Sequence, residues 1–371
     1  MEIKSLEDAE KLVIGTSIMG TGGGGDSVEG LGLLKETIES GRTIRFVQLE
    51  SLSSDSIVAS PYFVGSVAPV RATKKVEPRV SNPTKIAFGQ LECVLGRKIT
   101  AVTATELGGL NTAVAVCIGT QLGLPIVDGD LVGRAAPELN QSTALLSNVS
   151  MAPAAIATET GNVVIVKDYG SIDDYESTAR HQSVVAGSYA AVVDTPMTAN
   201  QARKAILPGT ISLCHGLGEM VVEARTKGED PAEAIVRTLN GWRLFEGRVS
   251  SYKWRNEGGF LKAELSMSGV GDFKGRRLKS RILNEHIMVW RDGKPAVMPP
   301  DLMTLVRKDG RAVANGELRV GMRLTAIAAK APGVWRTSKG LELFGPRHFG
   351  YNCSYVPVEK LLVRDIQSRG S

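Results

Sequence analysis

TAVTATELGGLNTAVAVCIGTQLGLPIVDGD, residues 100–130, decides the fold class of this chain. Thr100–Thr105 is a strand-length run of small and β-branched residues, Leu110–Leu122 has the length and apolar content of a helix, and Pro125–Asp128 returns to strand. Strand, helix and strand in that rhythm predict a parallel or mixed sheet covered by helices. On the N-terminal side, Ser5 followed by Leu6-Glu7-Asp8 is a helix start, because a serine cap and first-turn acids satisfy free amides and the helix dipole. That helix stops at the glycine loop Gly20–Asp26, and a second helix is predicted over Ser27–Ser40. Strands over Thr43–Leu49 and Ile57–Val67, a helix over Pro83–Leu95 and a closing helix over Glu138–Ser147 complete the α/β half.

From Ala154 the pattern changes. Ala154–Thr158 and Val163–Lys167 form a predicted hairpin, followed by helices near Ile172–Ala186, Ala199–Lys204, Ile211–Arg225 and Pro231–Asn240. After Gly241 strand-length segments alternate with turn residues through Ala328. The expected organisation is an N-terminal α/β domain over residues 1–165 and a C-terminal, largely β domain with some helices over 166–365. The helices between 172 and 240 could join either half.

A chain of 371 residues exceeds what one hydrophobic core usually organises, which agrees with two domains. With 43% hydrophobic and 22% charged residues it is an ordinary globular protein. Its net charge of +5 comes from 44 basic against 39 acidic residues without a long basic run, so nucleic acid is not an expected partner. The densest basic stretch, Lys274, Arg276, Arg277, Lys279 and Arg281, alternates as the exposed face of a strand would, with an acidic-ligand site as the alternative. The four cysteines, Cys93, Cys117, Cys214 and Cys353, form no CxxC pair and suit a reducing compartment. The charged N-terminus predicts no signal peptide, and no apolar run is long enough to span a bilayer, so a cytoplasmic protein without membrane contact is expected. A homo-oligomer is the default state.

Three stretches carry candidate chemistry. Gly22, Gly23, Gly24 and Gly25, followed by Asp26, cost more backbone entropy than a helix–helix turn requires. Their amides could cradle an anion, or the loop could be a tight structural turn. It lacks the lysine of a phosphate-binding Walker loop and follows a helix rather than a strand. Glu106 and Asn111, in TELGGLN, fall at the carboxyl end of a predicted strand, where open α/β sheets bind ligands. Glu106 is a candidate base and Asn111 a candidate orienting amide; otherwise Asn111 caps the helix and Glu106 is a solvated loop acid. Asp128, Asp130, Arg134 and Glu138 follow the next strand as a charged cluster able to hold a polar substrate or a divalent cation, with Asp128 and Asp130 as the metal candidates. The structural alternative has Asp130 bonding turn amides and Arg134 pairing with Glu138. His181, His215, His286 and His348 have no metal-ligand spacing, and Cys214-His215 does not form a nucleophile–base pair along one helix.

Together, GTGGGGD at 20–26, TELGGLN at 105–111, PIVDGDLVGRAAPEL at 125–139 and RHFGYN at 347–352 resemble the S-methyl thiohydantoin desulfurase family, often associated with hydantoinase and oxoprolinase systems. The resemblance covers nearly the whole chain. Many members carry phenylalanine before the proline where this chain has Ala136, a difference expected at a pocket wall. The resemblance implies a three-layer α/β domain, a largely β domain and hydrolysis of a small cyclic thiohydantoin- or hydantoin-like ring, with methanethiol leaving from an S-methyl substrate. Water would add to the carbon between two ring nitrogens, with Glu106 or Asp128 as base, Asp130 as partner, Arg134 for an acidic substituent and the Gly22–Gly25 amides for an anionic part. The competing expectations are a metabolite-binding subunit of a hydantoinase/oxoprolinase assembly and a phosphate- or nucleotide-dependent enzyme.

Overall fold

The computed structural model describes residues 1–69, 78–187 and 189–367. Its first sheet has nine strands among the described residues, and its centre is the parallel set predicted from residues 100–130. Ile44–Val47, Ile126–Asp130, Ala101–Ala104 and Ile57–Val64 lie side by side in parallel. Ala190–Thr198, Ala154–Thr158 and Val163–Val166 extend this sheet in antiparallel fashion. The second sheet is antiparallel throughout, in the spatial order Lys294–Val297, Glu285–Arg291, Arg277–Leu283, Phe260–Gly269, Trp242–Glu257, Arg323–Ala329 and Leu302–Val306. No helix among the described residues is long and apolar enough to cross a membrane.

Most predicted elements form within a residue or two of their expected bounds, and two differences bear on the site. The expected helix over Glu138–Ser147 shrinks to Thr143–Leu146, capped by Ser142. The Glu138 amide donates to Gln141 Oε1 at 2.9 Å and Gln141 Nε2 donates to Glu138 Oε2 at 2.7 Å, so side chains replace the missing helical hydrogen bonds. Ala190–Thr198 is a strand that the periodicity did not announce, inserted between Ile57–Val64 and Ala154–Thr158. Asp194 and Pro196 interrupt its apolar run, and Thr195 has φ +51, three features that oppose strand formation locally. The first sheet therefore continues past residue 165.

The helix Leu6–Met19 is buried on most of its surface toward its end, and it packs against the helix Thr210–Lys227 at backbone distance. A Cβ on Gly15 would lie 1.8 Å from the Cys214 carbonyl oxygen, and one on Gly218 would lie 1.8 Å from that of Lys11. The apolar core formed by these helices also takes in Leu302, Val306, Ile327, Trp335 and Phe344, so the two sheets share one interior. The basic stretch is a surface strand: Arg277, Lys279 and Arg281 are exposed while Leu278, Ser280 and Ile282 are buried. Arg276 pairs with Asp292 at 2.6 Å and Arg281 with Glu264 at 3.2 Å.

The glycine loop is the place where the halves meet. The Thr21 carbonyl accepts the His286 amide at 3.2 Å, and the Gly22 carbonyl accepts the Asn315 amide at 2.7 Å. Gly24, at φ +71, accepts both the Leu110 and Asn111 amides, and a Cβ there would meet the Gly108 Cα at 2.5 Å. Gly24→Ala would combine a left-handed alanine with a collision of two main chains. It should lower unfolding free energy by about 2–4 kcal/mol. Urea unfolding followed by tryptophan fluorescence tests this, and an unchanged midpoint would show that the two loops can separate freely.

Candidate functional site

A small cleft lies where Thr105–Asn111 and the segment after Asp130 leave the carboxyl ends of neighbouring parallel strands. The Leu131 amide donates to Thr105 and the Leu107 amide to Arg134, which ties the two loops together. Gly24, Gly25, Glu106, Asn111 and Glu138 line the cleft, with Ala136 in its wall. Gly22, Gly23, Asp26, Asp128, Asp130 and Arg134 do not line it.

Glu106 is buried, not a solvated loop acid. Asn111 Nδ2 donates to its Oε1 at 2.8 Å, and the Ala136 amide donates to its Oε2 at 2.9 Å. The Asn111 amide is oriented by the Phe63 N–H, which donates to Oδ1 at 3.0 Å, so Asn111 positions Glu106 rather than capping its own helix. Burial raises the Glu106 carboxyl above its ordinary value, while the Ala136 and Asn111 hydrogen bonds pull it back.

The aspartates serve the fold. Asp128 accepts the Ser212 amide at 2.9 Å and the Ser212 hydroxyl at 2.5 Å, and so fixes the start of the helix Thr210–Lys227. Asp130 Oδ2 accepts the Val132 and Gly133 amides at 2.9 and 2.7 Å, the turn-bonding alternative. Burial pushes the Asp130 carboxyl up to about 7. A divalent cation at Asp128 and Asp130 does not fit these commitments. Among the described residues no group of three or more His, Cys, Asp and Glu side chains could hold a metal ion.

Arg134 does not pair with Glu138. Its Nη1 donates to the Pro300 and Asp301 carbonyls at 2.8 and 3.1 Å, its Nε to the Ala135 carbonyl and its Nη2 to Thr21 Oγ1. Buried entirely, it is drawn down to about 10 by the loss of solvent. Gly23 is a passage for the second sheet: a Cβ there would lie 1.7 Å from Glu285 Oε1. Asp26 caps the helix Ser27–Glu39 through the Val28 and Glu29 amides. Of the four consecutive glycines, two thus admit the partner domain and two reach the cleft.

Several lining residues were not singled out in the sequence. Arg180 lies over the Phe260 ring at 3.6 Å and is paired with Glu176 at 2.7 Å. Glu285 enters the cleft from the second sheet. Tyr62 donates to Asp194 Oδ2 at 2.7 Å, as does Tyr175, and burial pushes Asp194 up to about 6. The available signal was a lone carboxylate in an otherwise apolar strand, Asp194 in AAVVDT and Glu285 in ILNEHIMVW, since burying a charge demands partners.

His348, from the RHFGYN stretch, meets Glu138 at 2.5 Å on the cleft rim. The Glu138 hydrogen bond raises His348; burial would raise Glu138, but His348, Gln141 and Arg180 together hold it below its ordinary value. The histidine's contribution is complete below its unfolded value, about 6.5, and is lost as pH rises through its higher folded value. The glutamate's contribution is lost as pH falls through its lowered one. An NMR titration of His348 should give a midpoint above 6.5, and Glu138→Gln should move it down. An identical midpoint in the variant would mean that the pair does not form in solution.

Two family models match the chain, one described as S-Me-THD-like, N-terminal domain, over residues 7–168, the other as S-Me-THD-like, C-terminal domain, over residues 171–358. Among solved structures, the chain is similar to the X-ray crystal structure of a protein from Chromobacterium violaceum, with a TM-score of 0.78 and 24% identity, covering 96% of this chain and 100% of that one. At that identity the likeness establishes the fold alone. No curated protein matches the chain.

Proposed function

Since the chain belongs to the S-Me-THD-like family, we propose that it is a hydrolase acting on a small S-methyl thiohydantoin-like ring, releasing methanethiol and leaving the hydantoin. The observation that carries this reading is Glu106: both its oxygens accept N–H hydrogen bonds inside a small cleft at the ends of parallel strands. Two N–H donors stabilise the carboxylate form, and burial strengthens it as a base by removing competing water. Water held against Glu106 would attack the ring carbon between the two nitrogens. The aromatic residues Phe63 and Tyr189, with rings stacked at 5.7 Å between centroids, offer an apolar wall, and Arg180 places a fixed positive charge beside it.

The nucleotide-dependent alternative is disfavoured by charge, because the Glu106 and Glu138 carboxylates on one cleft repel a phosphate chain. Purified protein incubated with a series of S-methyl thiohydantoins, with free thiol detected with and without chelator, tests the proposal. Chelator-insensitive thiol release is expected. Binding of the ring without release by the protein alone, with release appearing only when a partner hydantoinase-type enzyme is added, would instead favour the metabolite-binding subunit.

A further inference from the structure

We infer that Glu285 is the general acid of this site, working against Glu106 as general base; the inference rests on the ring-hydrolase reading above. Glu285 lies on the strand Glu285–Arg291 and is 2% exposed. It reaches the same cleft as Glu106 from the other domain. Its Oε2 is buried without a hydrogen-bond partner among the described residues. A buried oxygen without a partner is costly, and it is explained when it carries a proton offered to a ligand. Glu106 differs in this respect, since amide donors occupy both of its oxygens.

The charged groups around Glu285 favour the same division. Burial and then the Glu106 carboxylate raise it well above the usual carboxylate range, while Arg134 and Arg180 pull in the other direction without prevailing. Arg134 spends its donors on the Ala135, Pro300 and Asp301 carbonyls and on Thr21. Arg180 is committed to Glu176 and to the Gly259 and Pro137 carbonyls. The neighbouring His286 is drawn down to about 3 by burial and then by Arg134, so it adds no positive charge. Burial raises both carboxyls, but Glu285 further, because hydrogen-bond donors restrain Glu106, and two carboxyls that differ in this way can divide the acid and base roles.

The proton inventory closes. Glu106 takes one proton from water as its oxygen bonds to the ring carbon. Glu285 gives its proton to the ring nitrogen that receives the C=N electron pair. In the second step the C–S bond breaks, the departing thiolate takes the proton from Glu106, and Glu285 recovers a proton from the hydroxyl that becomes the new carbonyl. Both residues return to their starting states.

The test compares the wild-type protein with Glu285→Gln on unsubstituted S-methyl thiohydantoin across pH, and measures hydantoin binding by calorimetry. Glutamine should lower kcat at least about 100-fold. KM and hydantoin affinity should stay within about threefold, and the loss of activity at high pH should disappear while the loss at low pH, from Glu106, remains. A variant with both pH limbs and most of its kcat would overturn the assignment. Wild-type protein that releases no methanethiol would overturn the ring-hydrolase reading itself, a distinguishable result. Should the glutamine variant not fold, Glu285→Asp keeps an acid in an altered position and should lower kcat and shift the midpoint of the high-pH limb; an unchanged limb with wild-type kcat would equally reject Glu285.

Discussion

Glu106→Gln should reduce methanethiol release by about a hundredfold to ten-thousandfold, the range for loss of a positioned general base. Glutamine has nearly the same volume, but it has one acceptor oxygen where two donors, Asn111 Nδ2 and the Ala136 N–H, now point. Its own NH₂ must face one of them. That conflict costs about 1–3 kcal/mol of stability, so the variant should fold with a modestly lower melting midpoint. Kinetics and thermal denaturation on the same preparation separate the two effects. A variant that folds and keeps wild-type turnover would remove Glu106 from the chemistry.

Asp301→Ala should produce the largest loss of stability, about 3–5 kcal/mol. Asp301 is wholly buried and accepts from the Ala331 amide, Arg336 Nε and Nη2, the Tyr355 hydroxyl and the Val358 amide. Alanine would leave the Arg336 guanidinium with Glu359 as its remaining partner and would strand two amides and a phenol. The damage should spread, because the Asp301 and Pro300 carbonyls hold Arg134, which in turn holds Thr21 at the start of the glycine loop. Urea denaturation is the direct measurement. A shift below about 1 kcal/mol would mean that solvent replaces these bonds readily and that the Asp301 network is not an anchor.

The interdomain position of the cleft follows from these same contacts. Arg134, Asn315 and Glu285 all converge on the glycine loop from outside its own sequence neighbourhood. A substitution in the second sheet can therefore alter a cleft to which the first contributes Glu106.

The sequence by itself determined the parallel core, because residues 100–130 carry their strand and helix signals locally: a β-branched run, a glycine break and a helix-length apolar segment. It determined a largely β second half for the same reason, through strand-length segments and turn residues, and its motifs indicated the family, while the antiparallel pairing of those strands came from the structure. Glu106 and Asn111 were legible from their place at a strand's carboxyl end. Only the tertiary structure decided which acids share the cleft. Asp128 and Asp130 are two residues apart on one strand, yet they are committed to Ser212 and to turn amides. Glu285 is far away in sequence, yet it stands beside Gly23. The physical reason is that burial and hydrogen-bond partners set what a carboxylate can do. Those partners come from backbone amides and charges that long-range packing, and not local spacing, brings to it.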